Sequence, residues 1–245
     1  MSDHFHGKDA LSHVAEKQAQ GILSSHEIHG LELSGSQHSF YDSARNMLVL
    51  LALLYAILIN IDLPFEWKFR IFGLFGLGAT IWFAGRSAWL AWVRLERLHR
   101  ILAQEKWEIE HNRPQEREEL RVLYGAKGFE GELLEQVIDV LMADEGRLLK
   151  VMVEEEMGIT LQNVEHPLKQ GIYSFLGAFF STTVFMLALN YSYLSIALAL
   201  IGIAVFSGLA ATKAKNSAID SAVWSLGIAV LSIGLTYFLT QFIFI

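Results

Sequence analysis

The segment EKWEIEHNRPQEREEL, which begins at Glu105, sets Glu105 and Glu108 three residues apart, and Glu116 and Glu119 three apart beyond a His-Asn-Arg-Pro break. Residues three or four apart share one face of a helix, so each pair presents two carboxylates side by side. Further along, Met152 and Glu156 stand four apart and form a third pair of the same kind. Carboxylate oxygens are hard donors that suit Mg2+, Ca2+, Mn2+ and Fe2+, while a thioether adds softness that favours Fe2+ or a later transition metal. Acidic helices facing water carry such pairs too. Spacing alone therefore leaves two readings open, a solvated charge run or a metal site.

The break bears on that choice. On one unbroken helix, at about 1.5 Å per residue, Glu105 and Glu119 would lie about 21 Å apart, too far to share an ion. Pro114, preceded by Asn112 and Arg113, suits the first turn of a new helix, and Glu116, Glu118 and Glu119 suit its positive end. One helix should stop near His111 and another should start near Pro114. If the two fold against each other, both glutamate pairs converge. Such a cluster would repel itself, and a divalent cation would relieve the repulsion.

The elements that position these residues follow from composition. Positions 94–169 hold 17 acids and 11 bases, an acidic soluble insert in a chain that is 53% hydrophobic with a mean hydropathy of +0.35. Apolar runs fall near positions 46–63, 69–92, 172–190, 192–211 and 219–243. Each approaches the roughly 20 residues a helix needs to cross a bilayer core, so five transmembrane helices are expected. The first run follows more than forty mostly polar residues and lacks a small-residue cleavage pattern, so it should remain as a span. The fold class read here is an all-α membrane protein. Its parts are a polar tail (1–40), spans one and two (41–93), a helical insert (94–170) and spans three to five (171–245).

Within the insert, the second span runs without a breaker into VRLERLHRILAQEKWEIEH, where Leu95, Leu98 and Leu102 recur at helical spacing. GELLEQVIDVLMADEG reads as a short amphipathic helix and RLLKVMVEEEMG as another ending at Gly158; Pro167 marks re-entry to the membrane. Arg45, Arg94, Arg97, Arg100, Lys169, Lys213 and Lys215 flank the spans on one side, which the positive-inside rule assigns to the cytosol. The amino terminus and insert then face the cytosol and the carboxyl terminus faces away.

The chain has no cysteine, which excludes disulfides, thiolate ligands and thiol nucleophiles. Acidity argues against nucleic acid as a partner. No catalytic triad, phosphate-binding loop or zinc-hydrolase pattern is present, so an enzyme is not expected. His4 with His6, and His26 with His29, have ligand spacing in the tail, although histidines in polar tails are more often simply solvated. Gly73, Gly76, Gly78 and Gly85 on span two permit close helix packing, within the protomer or between two copies.

The two E-x-x-E pairs with seven residues between them, followed by YGAKGFEGELLEQVIDVLMADEGRLLKVMVEEEMGI, resemble the cytosolic metal-binding domain of the vacuolar iron transporter family. That family carries the domain between the second and third of five transmembrane helices, where this insert lies. The resemblance implies that Glu105, Glu108, Glu116, Glu119, Met152 and Glu156 bind transition metal ions. It also implies a dimer in the lipid bilayer that moves Fe2+, or Mn2+ or Zn2+, out of the cytosol in exchange for protons. The membrane would be the plasma (inner) membrane of a bacterium or a vacuole-like organelle of a eukaryote. Three positions depart from the family pattern: the aspartate of its first span falls at Asn46, and the methionine and glutamate of its second span fall near Trp82 or Phe83 and at Arg86. A second reading is therefore a membrane-anchored metal buffer or sensor that does not transport.

Overall fold

The computed structural model describes residues 35–156 and 165–244. Every regular element among them is helical. These are α1 (Gly35–Leu58), α2 (Phe65–His111), α3 (Arg113–Ala126), α4 (Gly131–Met142) and α5 (Glu145–Val151), which continues as a π-helical turn (Met152–Glu156). After these come α6 (Pro167–Ala188), α7 (Ser192–Lys213) and α8 (Ala218–Phe244). Five of the helices, α1, α2, α6, α7 and α8, are long and apolar enough to cross a membrane. The chain divides into two compact units, with boundaries after Val93 and before Glu165.

One boundary differs from the sequence expectation. α1 starts at Gly35, inside the stretch read as a tail, because Ser36, Ser39 and Ser43 are buried rather than facing water. α6 starts at Pro167, the residue expected to mark re-entry to the membrane, since proline suits a first helical turn and the Nδ1 of His166 accepts a hydrogen bond from the Leu168 amide at 3.2 Å. The tail histidines His4, His6, His26 and His29 lie outside the described residues.

In the membrane unit, α1 is the central helix and packs against α6, α7 and α8. Small residues allow the backbones to touch. A Cβ on Gly177 would sit 2.2 Å from the carbonyl oxygen of Phe40, so only glycine fits there. Hydroxyls tie the same seam: Ser43 and Ser174 share a hydrogen bond of 2.5 Å, and Ser181 donates to the Ala44 carbonyl at 2.9 Å. Below this polar end the core is hydrocarbon, with Met47, Leu51, Phe72, Phe185 and Ile203 fully buried. By contrast, Leu74, Trp82, Val223, Leu231 and Phe242 are exposed, as expected of helices whose outer faces meet lipid. Of the span-two glycines, Gly73 and Gly76 face Met186 and Thr182 of α6, while Gly78 and Gly85 face open space.

Glu165 fastens the polar end. Its carboxylate accepts hydrogen bonds from the Ser36 amide at 2.6 Å, the Ser36 hydroxyl at 3.0 Å and Lys169 Nζ at 2.8 Å. Burial opposes its ionisation, but the hydrogen bonds from Lys169 and Ser36 outweigh that cost and hold the carboxyl below the usual carboxylate range.

The second unit is built on the last turns of α2 together with α3, α4 and α5. Ile109, Leu120, Leu123, Ile138, Leu148 and Met152 form its apolar core. α3 ends in a turn at Gly128, whose φ of 93° is one that residues with a side chain rarely adopt. Asp144 caps α5 by accepting from the Arg147 amide at 2.7 Å. Two arginines of α3 grip two acids of α4: Arg117 reaches Glu135 at 2.9 Å and Asp139 at 2.7 Å, and Arg121 reaches Glu135 at 2.9 Å.

Candidate metal centre

α2 ends at His111 and α3 begins at Arg113, so the non-helical break is the single residue Asn112, with φ −124° and ψ 30°. The Asn112 amide still donates to the Glu108 carbonyl at 2.7 Å, closing the last turn of α2, while its own carbonyl accepts from Gln115 at 2.8 Å and opens α3. Pro114 has no amide proton, so its place in the first turn of α3 leaves no donor stranded. On the α2 side, Trp107 stacks on His111 with ring centroids 4.5 Å apart, and His111 Nδ1 lies 2.8 Å from the Trp107 carbonyl.

The consequence is convergence. Glu105 and Glu108 from α2 and Glu116 from α3 each bring a carboxylate oxygen within 4.8 Å of the others. All three side chains are buried, at 1%, 9% and 0% exposure, which rules out the solvated charge run for them. Glu119, one turn further along α3, is equally buried but does not belong to that 4.8 Å group. Met152 is also fully buried, within the apolar cluster that includes Ile109 and Leu120, the chain neighbours of Glu108 and Glu119. The side chain of Glu156 lies outside the described residues, and its backbone closes the π-helical turn. Such turns interrupt regular helices and are frequent at functional sites.

The donor set and its dimensions fit a divalent cation. Oxygen ligands on opposite sides of an ion at roughly 2.1–2.6 Å are about 4–5 Å apart, the span these three carboxylates occupy. Held at 4.8 Å, two ionised carboxylates repel by about 3 kcal/mol at an effective dielectric of about 20. Positive charge brought among them would remove that cost. Gln104 steadies one member by donating to Glu108 Oε1 at 3.0 Å.

Residues 71–241 match the model of the VIT family, from the second span through the insert to the end of the fifth. The chain belongs to the vacuolar iron transporter (VIT) family. Members are membrane transporters of metal ions rather than enzymes, which agrees with the apolar helices and the acidic cluster together. No curated protein matches the chain. In this VIT family member, α1 lies outside the matched residues, and with it Asn46, which is half-buried. Arg86 is exposed on α2 rather than buried against an acid.

The α3–α4 ion network was not anticipated from sequence. Its signal was present, since Arg117 and Arg121 are four apart, as are Glu135 and Asp139, giving each helix a charged face of opposite sign. Hydrogen bonds from Arg121 and Arg117 hold the Glu135 carboxyl below the usual range, and the network clamps the helix that carries Glu116 and Glu119.

Proposed function

We propose that this VIT family member carries Fe2+ or Mn2+ out of the cytosol in exchange for protons, as a homodimer, with the helical insert on the cytosolic side collecting the ion. The single observation that carries the reading is the buried meeting of Glu105, Glu108 and Glu116 within 4.8 Å. Glu119, Met152 and Glu156 complete the proposed ligand set, the thioether turning a hard oxygen site toward Fe2+. Dimerisation is supported by the exposed face of α2, where Gly78 and Gly85 leave room for a close neighbour.

One observation favours a second reading, a membrane-anchored metal buffer or sensor. Arg86 puts a positive charge on span two, which raises the barrier to a cation passing beside it. Proteoliposomes loaded with a metal-sensitive dye separate the two. Transport requires Fe2+ or Mn2+ flux above empty liposomes and an opposing proton flux; protein that binds metal but gives no flux is a buffer or sensor.

A further inference from the structure

At the end of the membrane unit where α1 and α6 finish and α2 begins, a cavity of about 210 Å³ opens between the helices. Tyr55, Leu58, Leu63, Phe65, Lys68 and Asn190 are among its walls. On one side of it the rings of Tyr55, Phe72 and Phe185 pack together, with centroids 6.3 Å apart between Tyr55 and Phe72 and 5.4 Å apart between Phe72 and Phe185. Three of the wall residues bear hydrogen-bond donors, namely a phenol, an ammonium and a carboxamide.

The charges at this end balance, Asp62 and Glu66 against Lys68 and Arg70, but their pairing is incomplete. Arg70 lies 4.0 Å from Glu66 and stacks over Trp67, whereas among the described residues no carboxylate is within ion-pairing distance of Lys68. A half-buried cation whose neighbouring walls are hydroxyl, amide and hydrocarbon suits an anion, because an ammonium gains most from a charged acceptor. The level of the cavity narrows the choice. Trp67, Tyr191 and Tyr193, with exposures of 55%, 64% and 94%, ring the same end of the bundle, as aromatic side chains do at a membrane–water boundary. Phe65, a wall residue, packs against Phe69 with ring centroids 6.1 Å apart, and both are exposed, giving the cavity an apolar flank suited to an acyl chain.

We infer that this cavity binds a phosphate-bearing anion, held by Lys68 with Tyr55 and Asn190, and that the phosphate is that of an anionic lipid headgroup. A lysine that merely reached for bulk headgroups would be indifferent to the amide at position 190. A built site is not.

The test uses the purified full chain in neutral detergent, titrated in one arm with phosphatidylglycerol against phosphatidylcholine and in the other with inorganic phosphate against chloride. Melting temperature and native mass spectrometry report binding. Phosphatidylglycerol should raise the melting temperature and remain bound, and Lys68→Met should weaken it about tenfold while Lys68→Arg retains it. If the Lys68→Met protein does not fold, Asn190→Leu, which leaves every charge in place, should show the same weakening. Stabilisation that depends on Lys68 in the lipid arm alone assigns a lipid. The same dependence in both arms assigns the phosphate group itself, and either result supports the site. Lipid binding undiminished in the variants, or no stabilisation of the wild-type protein in either arm, overturns it.

Discussion

Glu108 and Glu116 belong to different helices separated by one non-helical residue, Asn112, yet their carboxylate oxygens come within 4.8 Å. The shortest possible interruption thus turns a linear stripe of acids into a three-sided oxygen cage.

If the interruption creates the cage, restoring the helix should open it. The double substitution Asn112→Ala and Pro114→Ala removes the strongest helix breaker, worth about 3 kcal/mol relative to Ala in a helix interior. Helix content should stay the same or rise while Mn2+ affinity, read by calorimetry, falls at least about tenfold.

Neutralising one acid should have opposite effects with and without metal. Glu116→Gln keeps the shape and removes a buried charge, so the metal-free protein should gain about 1–3 kcal/mol from lost repulsion. The melting-temperature rise caused by Mn2+ should shrink sharply. A variant that leaves the Mn2+ response intact would show that Glu116 is no ligand.

The α3–α4 clamp makes the insert sensitive to acid. The folded-state pKa of Glu135 is depressed by Arg121 and Arg117, so its contribution is complete above the unfolded carboxylate range and is lost as pH falls through the folded value. Glu135→Gln should flatten the acid limb of the insert's stability, followed by the fluorescence of Trp107 against pH.

At the membrane unit's polar end, Glu165→Gln removes a charge-assisted acceptor from Ser36 and Lys169. A loss of about 2 kcal/mol is expected at neutral pH, seen as a lower melting temperature. The loss should vanish toward acid, where the native carboxylate protonates as well, because this group too has a depressed folded-state value.

Two glycines should respond differently to the same change. Gly177→Ala drives a methyl into the Phe40 carbonyl and should cost about 1–3 kcal/mol by wedging α1 from α6. Gly78→Ala meets open space and should leave the melting temperature of the monomer unchanged or slightly raised, through better helix propensity.

Much of the scaffold was legible because its signals are strong and local. Runs of apolar residues near bilayer length mark α1, α2, α6, α7 and α8, and a proline marks the start of α3 and of α6. The pairing of Glu105 with Glu108 was visible as helical spacing. What spacing could not convey was reach across the break: Glu116 joins the α2 pair within 4.8 Å while Glu119 is not part of that group. Nor could it reveal that Ser36 is buried by a residue 129 positions away, since composition makes a serine-rich stretch look solvated. Met152 was expected as half of an α-helical pair, yet the backbone there winds as a π-helical turn, which no residue type in MVEEE announces.

The one-residue break at Asn112 also orders events during synthesis. The three clustered carboxylates arise from neighbouring turns, and contacts this local form within about microseconds of the segment becoming free to fold. The seam between Ser43 and Ser174 joins residues 131 apart and must wait for the chain to reach Ser174, well beyond Glu116. If the cluster binds a metal ion as proposed, an emerging chain would hold it before the membrane half has closed, and metal supply would become a factor in how the protein is made.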